Sequence, residues 1–131
     1  MSNIEPIIVP DSAAPGGHYS AGVRHGGLVY VSGQLGVLPD GSHTVDQPFE
    51  QQVRTAMGNV LRVLAAAGLG PEDLVKVTAY IVGTGNWPKF NAVYAEMMGT
   101  AKPARAVVPV PELHYGYLIE IEAIAACRKD T

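Results

Sequence analysis

Three ionisable residues stand out for the company they keep. Arg105 lies near the start of Lys102-Pro103-Ala104-Arg105-Ala106-Val107-Val108, an otherwise apolar run. A charge in such surroundings is costly unless it is paired, exposed at a strand end, or used. If used, its planar fork would hold a carboxylate through two parallel hydrogen bonds. Glu120 and Glu122 sit in Ile119-Glu120-Ile121-Glu122-Ala123-Ile124. Alternation puts both carboxylates on one face of a strand, about 7 Å apart, and both isoleucines on the other. That face is either a solvated acidic one, or it presents a carboxylate base to a ligand held by Arg105.

Other chemistries are poorly represented. The histidines are His18, His25, His43 and His114, and no two have the spacing of metal ligands on one element. His25 and His43 fall at turn signals and are expected in solvent; His18 and His114 lie in loops that could border a cleft. Ser32 occurs in Tyr30-Val31-Ser32-Gly33-Gln34, without the flanking glycines of a nucleophile elbow. There is no GxxxxGK[ST] loop. Gly83-Thr84-Gly85 reads as a turn and helix cap, because Pro88 stands where a dinucleotide fold needs its third glycine. Cys127 is the only cysteine, so no internal disulfide can form, and its apolar strand suggests packing.

The elements that must position these residues can be traced from punctuation and periodicity. Glu5–Val9 is a short apolar run closed by Pro10, and Pro15-Gly16-Gly17 is a turn signal. Tyr19–Arg24 and Leu28–Ser32 flank Gly26-Gly27 as a hairpin. Pro39-Asp40-Gly41-Ser42 is a further turn. Asp46 is the expected N-cap of a helix with Pro48 in its first turn. Phe49, Val53, Met57, Val60, Leu61 and Leu64 recur at helical spacing until Gly68. Pro71-Glu72-Asp73 makes one turn before a strand over Val75–Val82. Asn86 caps a second helix, with Phe90, Val93, Tyr94 and Met97 inward. Pro103–Val110 and Tyr117–Cys127 are the last strands.

This gives one α+β domain over residues 1–131: a six-stranded mixed sheet with two helices on one face, in the order β-β-β-α-β-α-β-β. Two helices about 10 Å wide cover one face of a sheet about 29 Å across, and not both. Val29, Val31, Val75, Val77, Ala79, Ile81, Ile119, Ile121 and Ala123 are apolar, and so are many residues between them. The second face is therefore expected to meet other copies of the chain.

Composition narrows the function classes. At 131 residues with 47 % hydrophobic and 16 % charged side chains, the bulk of the chain is a folded domain and not a disordered one. The net charge of −3 argues against a phosphate-backbone partner. No stretch resembles a signal peptide or a membrane span, and the expected address is the cytoplasm.

Taken together, Pro103-Ala104-Arg105 and Ile119-Glu120-Ile121-Glu122-Ala123-Ile124-Ala125 resemble the C-terminal signature of the RidA/YjgF family of reactive-intermediate deaminases, also described as endoribonuclease L-PSP. Gly17-His18-Tyr19-Ser20, Leu28-Val29-Tyr30-Val31-Ser32-Gly33-Gln34, Val77-Thr78-Ala79-Tyr80-Ile81 and Phe90-Asn91-Ala92-Val93-Tyr94 fit it in colinear order. The resemblance implies a chorismate-mutase-like fold and a homotrimer with sites between subunits. It implies cofactor-free hydrolysis of 2-imino acids or their enamine tautomers to 2-keto acids and ammonia, and the histidine spacing adds the expectation that no metal takes part. Arg105 would bind the substrate carboxylate and Glu120 would activate water. Tyr19, Ser32, Gly33 and Asn91 would line the pocket, and the Val107 backbone N–H would meet the carboxylate. The chain departs from the family with Val107 where many members carry cysteine, with His18 in place of proline, and through Glu112–Tyr117. Two other functions compete with this one: a non-catalytic sensor of small carboxylates, and a ribonuclease or translation inhibitor, which the charge disfavours.

Overall fold

The computed structural model describes residues 3–128. Six strands, β1 (Glu5–Ile7), β2 (Gly22–His25), β3 (Leu28–Gln34), β4 (Leu74–Ile81), β5 (Ala104–Pro109) and β6 (Ile119–Ala126), form one sheet in the order β1-β2-β3-β6-β4-β5. Every pairing is antiparallel except β4 with β5, which is parallel and is reached through the second helix. The helices are α1 (Phe49–Ala66) and α2 (Trp87–Met98). This is the α+β architecture that the sequence predicts, with strand ends shifted by up to three residues. Among the described residues no helix is long and apolar enough to cross a membrane.

The apolar periodicities meet on one side. Val53, Met57, Val60 and Leu64 of α1 and Phe90 and Val93 of α2 are buried against Val29, Val31, Val77, Ala79, Ile81, Ile119, Ile121 and Ala123. Two local expectations fail. Val75 is 47 % exposed, because a register shift between Leu74 and Lys76 breaks the strand's alternation there. Asp46 is not a cap: Pro48 holds that position in α1, with no side-chain cap bond. Asn86 does hold the N-cap position of α2, but its amide donates back to the Val82 carbonyl at 3.0 Å. Gly26 and Gly27 both take positive φ and close the β2–β3 hairpin where their spacing places it.

Two buried polar side chains fix the long β3–α1 crossover. Gln52 is 1 % exposed. Its amide donates to the Val45 and Gln47 carbonyls, both at 3.1 Å, and its carbonyl accepts from the Leu118 N–H at 3.0 Å. The Tyr117 hydroxyl accepts from the Thr44 N–H at 3.0 Å and contacts His43 Nδ1 at 2.8 Å. Both tie the crossover to the residues just ahead of Glu120. Gln52→Leu keeps the volume but strands three backbone groups, each costing about 1–3 kcal/mol when buried. Urea unfolding should report a loss of about 2 kcal/mol or more, against a near-neutral result for a surface change such as Gln51→Leu.

Candidate functional site

β6 carries the two carboxylates out on the face that the helices leave uncovered. Glu120 stands opposite Tyr80 and Glu122 opposite Thr78, with Ile119, Ile121 and Ala123 buried on the other side. The two glutamates then part company. Glu122 is exposed and accepts a hydrogen bond from the Tyr80 hydroxyl at 2.9 Å. Glu120 is half-buried and accepts no side-chain hydrogen bond from the described residues. Burial raises its pKa above the usual carboxylate range; His114 opposes the shift and Glu122 adds to it.

What confines Glu120 is β3. The β3–β6 register shifts between Val31 and Gln34, and Ser32 and Gly33 occupy the irregularity. A Cβ on Gly33 would lie 2.7 Å from Glu120 Oε2, so the missing side chain is what lets the carboxylate lie against the strand. Ser32 is locked by its own hydroxyl, which donates to the Ser20 carbonyl at 2.6 Å. Tyr19 lies in the bend before β2, not in a strand as predicted, and its ring is 53 % exposed. Tyr19, Ser32, Gly33, His43, Tyr115 and Glu120 line one groove of about 1240 Å³. His114 borders it as expected, and His18 does not. His43, predicted in solvent, is outwardly exposed but bonded to Tyr117 and part of this wall.

Arg105 is elsewhere. It pairs in register with Val77, whose side chain is buried under the helices, so its own side chain leaves the sheet on the helix side of the β5 edge. Its guanidinium lies 5.6 Å from the Phe90 ring centre and 5.1 Å from that of Tyr94. These i, i+4 neighbours on α2 form an aromatic bed. Among the described residues Arg105 has no ion-pair partner and no side-chain hydrogen bond, so its fork is unspent. The Tyr94 hydroxyl below it is buried without a hydrogen-bond partner among those residues. Val107 is half-buried and packs on the core from the same side, and Asn91 is half-buried on α2. The seven predicted site residues thus form two groups. Tyr19, Ser32, Gly33 and Glu120 share the groove; Arg105, Val107 and Asn91 belong to the β5–α2 edge. The sequence reading missed the roles of Phe90 and Tyr94, which it used only as core, and those of His43 and Tyr115. The i, i+4 aromatic pair upstream of an isolated arginine was the available signal. Among the described residues no three of His, Cys, Asp and Glu cluster as a metal site.

An open mixed sheet with both helices on one face, a half-buried carboxylate lining a groove and an arginine at the β5 edge define a small α+β class of domain. A family profile described as endoribonuclease L-PSP matches residues 10–127. The chain belongs to that family, the RidA/YjgF group. A RutC family protein of Pyrococcus horikoshii is 37 % identical over 121 residues, 92 % of this chain and 96 % of its own. A 2-iminobutanoate/2-iminopropanoate deaminase of Dermatophagoides farinae is 35 % identical over 124 residues, 95 % of this chain and 97 % of its own. The crystal structure of E. coli TdcF with bound serine superposes with a TM-score of 0.88 at 30 % identity, covering 95 % of this chain and 99 % of that one.

The raised pKa of Glu120 has a thermodynamic sign. A folded pKa above the unfolded one favours the protonated carboxyl, so its contribution to stability is present at low pH and lost as pH rises through the folded value. Glu120→Gln removes that loss. The melting temperature of the variant should exceed that of the wild type at pH 7, and the gap should shrink to nothing as pH falls below 4.5, the ordinary value.

Proposed function

We propose that the protein hydrolyses 2-imino acids, or their enamine tautomers, to 2-keto acids and ammonia without a cofactor, in sites shared between subunits of a homotrimer. The observation that carries the reading is a pair of unspent charges: a guanidinium over two aromatic rings with its donors free, and a half-buried carboxylate whose ionised form is disfavoured. The deaminase relative supports the reaction, and the serine-bound relative supports a ligand bearing a carboxylate.

Arg105 would grip the ligand carboxylate through both nitrogens, which fixes the plane of the imine. The imine carbon is already electrophilic, so little machinery is needed. Ionised Glu120 takes a proton from water as the water oxygen bonds to that carbon. It returns that proton to nitrogen, giving a carbinolamine, then takes the carbinolamine hydroxyl proton and passes it to the amine, so that the C–N bond breaks and ammonia leaves as the carbonyl forms. Each C=NH plus H₂O yields C=O plus NH₃, so Glu120 ends as it began. A carboxylate with a raised pKa is suited to taking and returning a proton in one cycle.

Within one chain these two groups lie on opposite faces of the sheet, so neither half can act alone. A second copy that sets its β5–α2 edge against the uncovered face of the first would bring its Arg105 to the groove of Glu120. Tyr30, 39 % exposed, and Val108, 36 %, supply apolar surface on that face for such a contact. Three-fold closure is the expectation of the family resemblance. Sedimentation equilibrium should give about three times 13.8 kDa. A stable monomer that turns over imines would overturn the shared site.

Turnover of freshly generated 2-iminobutanoate is the decisive assay. Glu120→Gln should lower kcat by roughly 10²–10⁴-fold and erase the acid limb of the pH–rate profile, while a 2-keto acid still binds. Glu122→Gln, which loses its charge but can still accept from the Tyr80 hydroxyl, should stay close to wild type. Arg105→Lys keeps the charge but not the fork and should cost roughly 10²-fold in kcat/KM. If wild type turns over no imine yet binds 2-keto acids through Arg105, the sensor reading replaces this one.

A further inference from the structure

The groove continues past Glu120 into a wall that the proposed reaction does not use. Tyr115 lines it and is 66 % exposed, the most exposed tyrosine of the described residues. It is also one of only two non-glycine residues among them with positive φ, at +62° with ψ 8°. A bulky side chain in the left-handed region is a genuine outlier and is held there only by its surroundings. The surroundings are specific. The His43 ring lies 4.8 Å from that of Tyr115, tilted by 50°, and Tyr117 meets Tyr115 edge-on at 6.4 Å. Tyr117 is in turn anchored in the core through its hydroxyl, which contacts His43 Nδ1 and accepts from the Thr44 N–H. His114, the preceding residue, places its ring 6.4 Å from Tyr115 and is close enough to lower the pKa of Glu120.

The ring stays two-thirds exposed, so its contacts with His43 and Tyr117 offset only part of the strain at Tyr115. A ligand that covered the ring would change that balance. The centroid separations of these rings fall in the range of aromatic pairs, and two-thirds of Tyr115 is still open to solvent. We propose that Tyr115 and His43 form a subsite for a flat aromatic side chain, so that the ligands favoured by this protein are aromatic 2-imino acids and their 2-keto products. Histidine and tyrosine rings accept a planar group and reward a short alkyl chain much less. The position of His114 next to both Tyr115 and Glu120 joins this wall to the reacting end of the site. The assignment rests on the imine-hydrolase reading for the chemistry at that end, and on the wall alone for the side chain.

Binding and turnover test the two separately. Titration calorimetry with phenylpyruvate and 2-oxobutanoate should show wild type binding the aromatic acid roughly tenfold tighter, the size of one or two ring contacts. Tyr115→Gly removes the ring and relieves the backbone. It should cut that ratio roughly tenfold with an unchanged or higher melting temperature. Tyr115→Asn, which tolerates the same backbone, and His43→Ala should move the ratio the same way. Imines made in place from phenylalanine and from 2-aminobutanoate by an amino-acid oxidase should show the same preference in kcat/KM. If wild type binds both keto acids equally, or if the ratio survives all three variants, the subsite is overturned whatever the turnover. If the binding ratio behaves as expected but neither imine is hydrolysed, the subsite stands and the hydrolase reading falls.

Discussion

Two helices can cover one face of a six-stranded sheet, and the strand repeat does the rest. Because side chains alternate, every strand that buries its odd residues beneath α1 and α2 must send its even ones to the uncovered side. Ile119, Ile121 and Ala123 go into the core, and Glu120 and Glu122 are thereby committed to the open face. β5 obeys the same rule with the opposite consequence. Its register with β4 turns Arg105 and Val107 toward the helices. One constraint thus puts the cation and the carboxylate of a single chain on opposite faces of the sheet.

Within the open face, two glutamates of the same type, two residues apart on one strand, have different environments. The difference comes from β3 and not from β6. The irregularity at Ser32-Gly33 brings backbone against Glu120, and the absent Gly33 side chain leaves the carboxylate room beside it. Desolvation then disfavours its charge. Glu122 looks out past Thr78 and spends its charge on the Tyr80 hydroxyl, whose own pKa rises in response. A carboxylate that is already paired and solvated is a poor proton carrier; one that is unpaired and half-buried is a better one.

Arg105 is prepared by different means. Nothing among the described residues neutralises it, and the Phe90 and Tyr94 rings attract it by cation–π contact without using its N–H donors. The guanidinium is positioned yet chemically free. At the other side of the fold, Gln52 and the Tyr117 hydroxyl satisfy the backbone of the β3–α1 crossover and steady the loop that carries Tyr115 into β6. These buried polar contacts connect core packing to the groove wall.

How much of this could be read from the chain follows from the range of each interaction. Element order, hairpin and helix positions, and the shared face of Glu120 and Glu122 rest on contacts between residues near in sequence, so periodicity and turn residues determined them. Short motifs carried the family resemblance, and with it the identity of Arg105 and Glu120. The register shift at Leu74–Lys76 that exposes Val75, the bond from the Leu118 N–H to Gln52, and the strained Tyr115 against His43 are different. Each joins residues far apart in the chain, and no local pattern records which strand or loop will be the neighbour. The same holds for the split of the site. Sequence named both charges, but only the order of strands in the sheet decided that they face opposite ways, because a side chain's direction is set by its own strand and its surroundings by the strand next to it.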